Sequence, residues 1–172
     1  MYRNFKLVGD LGTILVPDNF SQKNWLLNFY EEVKEFFYFF DRNINDKNFF
    51  NSSYILVPGE KFEVLIYIKI TSGIITHKEA LDFISSHKGF SLLGAQGLSI
   101  VCLQRMDDLS KGFKYLSLDK RNSLWKDNFF KRKVRIPCLV TYKDKGPSFL
   151  GVPIEEGIHK YDCLVVFVKK DL

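Results

Sequence analysis

The sequence has no run of about 18 consecutive apolar residues, so it predicts no membrane-spanning helix and no membrane partner. Its first residues, Met1-Tyr2-Arg3-Asn4-Phe5, lack the apolar core that follows a basic start in a secretory leader. The expectation is a cytoplasmic protein. Cysteine is scarce: Cys102, Cys138 and Cys163 are widely spaced, odd in number, and each sits in an apolar run. That excludes a disulfide framework and predicts buried thiols in a reducing compartment.

Catalytic and metal signatures are missing too. There is no G-x-x-x-x-G-K phosphate loop, no G-x-G-x-x-G, no H-E-x-x-H, no C-x-x-C and no G-x-S-x-G. His77, His87 and His159 stand apart from each other, and none pairs with a Cys or carboxylate at ligand spacing, so no metal or cofactor is expected. The carboxylate pairs Glu31-Glu32, Asp107-Asp108 and Glu155-Glu156 are sequence neighbours, whose side chains point apart on a helix or strand. No catalytic residue is assigned. An enzyme remains open only if its site residues converge from distant positions.

What is present is aromatic and basic. Phe occurs 17 times in 172 residues. Phe, Lys, Asn, Ile and Tyr share A/T-rich codons, so genome bias accounts for much of the surplus. The excess still predicts that one core will not hide every ring. Net charge is +5, unevenly spread: residues 1–100 hold ten Lys or Arg against eleven Asp or Glu, and the excess lies beyond them. A basic half attracts nucleic acid or other anionic surfaces.

Two glycines in Gly9-Asp10-Leu11-Gly12, between apolar runs, predict a hairpin over 5–16. From Ser21 as N-cap to Asp41, steps of three and four through Trp25, Leu26, Phe29, Val33, Phe36, Phe37 and Phe40 predict one long helix. Residues 53–57 and 62–70 read as strands paired through Pro58-Gly59, the second by strict alternation. Thr76-His77-Lys78-Glu79 matches a capping box, with the helix ending near Gly89. Residues 90–106 are nearly uncharged; 94–109 are read as a buried helix, which Gly94 and Gly97 would let a neighbour approach closely, although 98–103 could also form a buried strand and periodicity does not decide between the two. Strands follow at 113–118, 133–142, 148–152 and 163–168, with a short helix at 119–126. Pro137 cannot donate to a ladder, which predicts a sheet edge or a bulge there. No repeat or linker interrupts the chain, so residues 1–172 read as a single α+β domain, a mainly antiparallel sheet packed against about three helices.

Two functional readings follow. The absence of a catalytic constellation, with the aromatic surplus, predicts a non-enzymatic protein-interaction module that binds another protein or itself. The alternative is single-stranded RNA or DNA binding through the basic-aromatic segment 120–145, where cations would hold phosphates and rings would stack on bases. Its candidate contacts are Lys120, Arg121, Trp125, Lys131, Arg132, Lys133 and Arg135.

Overall fold

The computed structural model describes residues 4–127 and 133–170. Strand β1, Phe5–Leu15, is one strand and not the expected hairpin. Its two glycines serve as irregularities in the ladder, with register shifts between Leu7 and Gly9 and between Asp10 and Thr13. Gly12 takes φ +74°, and its N–H donates to Asp10 Oδ1 at 2.8 Å, so the bulge is closed locally without reversing the chain.

Helix α1, Trp25–Val33, is shorter than the period suggested. It buries Trp25, Leu26, Phe29 and Val33. Asn24, not Ser21, is its N-cap, and no side chain at that position bonds the first turn. The carboxylate of Asp46 does so from a later loop, accepting from Leu26 N–H at 2.8 Å and Leu27 N–H at 3.0 Å. Past Val33 the chain turns and enters β2, Phe39–Phe40. Phe40 stacks on Phe149 with centroids 5.3 Å apart and also meets Phe29 at 5.7 Å. Phe40 thus reaches the core from a strand and Phe37 from the turn before it, while Phe36 stays exposed, so the helical spacing overran the helix.

Residues 53–57 form no strand. Tyr54 instead folds onto the Phe62 ring, 5.6 Å away, and the Pro58-Gly59 turn packs beside the end of β1, where Val16 N–H donates to Glu60 O. Strand β3, Lys61–Lys69, alternates as expected. Helix α2, His77–Ser85, has both bonds of the Thr76–Glu79 capping box. After β4, Phe90–Ser91, comes α3, Gly94–Arg105, extended by a 3-10 turn over 106–108. Every residue of α3 from Gly94 to Cys102 is buried.

Strand β5 spans Lys114–Leu116. The short helix expected at 119–126 is a 3-10 turn, Arg121–Ser123, followed by β6, Trp125–Lys126. Strands β7 (Val134–Val140), β8 (Ser148–Pro153) and β9 (Cys163–Lys169) complete the chain.

Among the described residues, three α-helices accompany a nine-stranded sheet with the order β1-β3-β9-β5-β7-β8-β2; β4 joins β9 and β6 joins β7. The α+β class holds, but the sheet is mixed and not mainly antiparallel, because β5 runs parallel to β9 and β2 parallel to β8. The β2 pairing could not arise from a sequence reading that placed its residues in a helix. Pro137 lies inside the sheet, not at an edge. Its carbonyl accepts from Ser117 N–H at 3.2 Å, so its nitrogen faces the gap between β5 and β6, where no ladder bond is lost.

Helix α3 lies on the face of β9 that carries Phe167. Helix α2 covers the other face, where Phe83 packs on Tyr67 at 5.2 Å and on Phe5 at 4.7 Å. The end of α3 also closes part of the β1 edge. Gln104 bonds both the N–H and the carbonyl of Leu15, at 3.0 and 2.7 Å, and Arg105 Nη2 donates to Thr13 O at 2.7 Å. These side chains stand in for a missing strand there.

Candidate functional site

The basic segment of the sequence divides into cations that are used and cations that project. Arg135 on β7 is used. Its Nε and Nη2 donate to Asp127 Oδ2 at 3.2 and 3.1 Å, and Nη1 donates to Gly151 O at 3.0 Å. Its guanidinium also lies 5.9 Å from the Trp125 ring, which is half-buried on β6. A guanidinium with a carboxylate, a carbonyl and a ring has little left for a phosphate. Lys133 is half-buried ahead of β7, and Lys131 and Arg132 lie outside the described residues. Lys120 and Arg121 project from the 3-10 turn.

Arg121 lines two adjoining grooves. One, of about 490 Å³, also takes Thr76, His77 and Lys78 at the start of α2. The other, of about 530 Å³, takes Asn122, Leu124 and Lys126. Lys78 and His77 belong to this surface, and sequence reasoning missed them because they lie more than forty residues before Arg121. Burial holds the His77 imidazole below its ordinary pKa; a bond to the Asp119 main chain opposes this, and the Arg121 charge adds to it. Asp119 is buried beneath the same turn, and its carboxylate accepts from Ser53 N–H at 3.1 Å and Lys120 N–H at 2.8 Å. Burial raises its pKa, against those bonds. Ser53, Asp119 and His77 do not form a nucleophile-base relay. The carboxylate meets Ser53 and the Lys120 main chain, and the imidazole meets Asp119 only through its backbone, so no base is aligned between them. Their joint effect is to pin residue 53 to the 119–123 turn.

A second surface was not visible in the sequence. Phe36, Tyr38 and Phe39 lie along the outer end of the sheet at 73%, 65% and 53% exposure. The Lys145 ammonium stands 3.7 Å from the Tyr38 ring centroid and 4.3 Å from that of Tyr142. Gly146 lets the chain come this close: a Cβ there would stand 2.5 Å from Phe36 O and 3.2 Å from Tyr38 N. β2 is the terminal strand of the order, bonded to β8 on one side. No ion pair engages Lys145 among the described residues.

The thiols offer no nucleophile. Cys102, Cys138 and Cys163 are all buried and free, and burial raises each, Cys163 to about 12. Among the described residues no group of three His, Cys, Asp or Glu could hold a metal ion, and no helix is long and apolar enough to cross a membrane. No family model, no curated protein and no solved structure matches this chain.

Proposed function

We propose that this chain is a protein-interaction module that docks an extended segment of another protein along β2. The observation that carries the reading is the exposed group Phe36, Tyr38 and Phe39: Phe39 opens the terminal strand β2, and the other two lie in the segment that leads into it. Fully covering one such ring contributes roughly 1.5–3 kcal/mol, so three are enough to anchor a peptide. A strand added at a sheet edge supplies main-chain bonds, and alternate side chains supply selectivity. Lys145, standing over the Tyr38 ring, favours a partner segment that sets Asp or Glu among its apolar residues. The reading takes residues 1–172 as a single cytoplasmic domain. A random peptide library displayed on phage and panned against the protein tests it. Enriched peptides should be extended, apolar and acidic, and should be lost on the Phe36→Ser/Tyr38→Ser variant. Enrichment that the variant retains, or self-association through β2 in sedimentation, would replace this reading.

A second reading rests on Arg121, which with Lys78 and Lys126 lines the two adjoining grooves. Cations there would follow the backbone of single-stranded RNA or DNA. Labelled oligonucleotides titrated over a salt series check it. Affinity should fall as salt rises and should weaken in Arg121→Ala and Lys126→Ala. A flat salt profile removes it.

A further inference from the structure

Far along the sheet from β2, a slot of about 670 Å³ opens past the C-terminal end of α3. Residues 8–12 of β1 form one wall. The segment that leaves α3 and runs into β5 forms the other, through residues 108–110 and Phe113. Between these walls lie β3 and β9, and Ile66, Ile68 and Cys163 make the floor with Tyr115 of β5. The slot exists because α3 stops short of this end of the sheet and the β1 register shifts carry residues 8–12 out of line. Tyr115 braces the far wall, its hydroxyl donating to Ser110 O at 3.0 Å.

Each wall carries one exposed carboxylate, Asp10 on β1 and Asp108 on the opposite segment. Neither forms an ion pair among the described residues. Asp10 accepts from Gly12 N–H through one oxygen, which leaves the other. Of the nearby cations, Lys114 faces Asp162 at 3.7 Å, and Arg105 turns its Nη2 to Thr13 O. The floor is uncharged at neutral pH, since burial pushes both the Tyr115 hydroxyl and the Cys163 thiol up to about 12. A volume of this size suits a small molecule, and the half-buried Phe113 ring offers a face to a cation. A divalent metal ion would need six or more oxygens, which two carboxylates over an apolar floor do not supply. An anion would meet the two carboxylates of the opposed walls above an uncharged floor.

We infer that this slot binds an organic ammonium ion with an apolar body, Asp10 and Asp108 holding the charge and Ile66, Ile68 and Phe113 taking the body. The test titrates the isotope-labelled protein with phenethylamine, phenylethanol and phenylpropanoate, which share a skeleton and differ in charge. The amine should shift the amides of residues 8–12 and 108–115, and its affinity should fall about tenfold or more in Asp10→Asn/Asp108→Asn. Both positions are exposed, and Asn keeps an acceptor for Gly12 N–H, so the variant should melt with the wild type. The alcohol or the acid binding as tightly as the amine would overturn the inference. So would amine shifts mapping elsewhere, or binding that survives in the folded double variant.

Discussion

Gly97 of α3 lies against the ring of Phe167 on β9: a Cβ built on Gly97 would stand 2.9 Å from the ring's Cζ and would also collide with Cβ of Leu93. The helix and the strand are held at a distance that only a glycine permits. Phe167 is 1% exposed, so the ring has no open side to move into. Gly97→Ala therefore gains helix propensity but loses more by overpacking. It should lower stability by about 1–3 kcal/mol, read as a reduced urea midpoint with an unchanged slope. A variant as stable as the wild type would mean that α3 is free to shift off the sheet.

Val33 and Phe36 are one helical turn apart in the sequence pattern, yet they end in opposite environments. Val33 is 8% exposed in the core, and Phe36 is 73% exposed beyond the end of α1. An unpaired carboxylate at Val33 has no partner and no water, so Val33→Asp should leave the protein unfolded at room temperature. Phe36→Asp should change stability by no more than about 0.5 kcal/mol. Circular dichroism with urea titration separates the two outcomes. Equal damage at both positions would return Phe36 to the core and remove the docking surface along β2.

These positions show what the sequence could and could not convey. The Thr76 capping box and the β3 alternation were readable because each writes its pattern within a few residues; for α3 the burial was readable, but helix and strand were not separable by period. The end of α1 was not readable. Phe36, Phe37 and Phe40 satisfy a helical period, but the chain past α1 is bonded to residues more than a hundred positions away, Tyr38 N–H to Pro147 O and Asp41 N–H to Phe149 O. The same holds for the basic segment. Lys120 and Arg121 were identifiable as surface cations, but the neutralisation of Arg135 by Asp127 depends on the β6–β7 pairing. A lysine over two tyrosines from separate segments leaves no mark in composition at all.

Trp25 ties α1 to α3 through a buried bond, its indole N–H donating to Ser99 Oγ at 2.7 Å, while that hydroxyl donates to Gln96 O at 2.7 Å. Ser99→Ala removes the acceptor and strands the indole N–H away from water. The expected cost is about 1–3 kcal/mol. In a Trp25→Phe background the same substitution should cost less, because no donor is left to strand. Chemical unfolding of the four proteins measures the difference. A Ser99→Ala cost independent of residue 25 would assign it to packing.

His77 gives the fold a dependence on pH whose direction can be worked out. The residue is 6% exposed, and burial holds its imidazole below the ordinary value of 6.5. Below that value the unfolded chain takes up a proton that the native state resists. Stability from this group is therefore complete above 6.5 and is lost as pH falls from 6.5 through the native pKa. Asp119, packed beside it, acts with the opposite sign. Its raised pKa means that the native state holds its proton above 3.8, so its contribution is lost as pH rises through that lower window. The His77 effect is isolated by comparing wild type with His77→Gln, since His87 and His159 are common to both. Urea midpoints measured near pH 7.5 and about 5.5 should fall in the wild type and fall less in the variant. Parallel slopes would mean that water reaches the imidazole and that the 119–123 turn does not seal it.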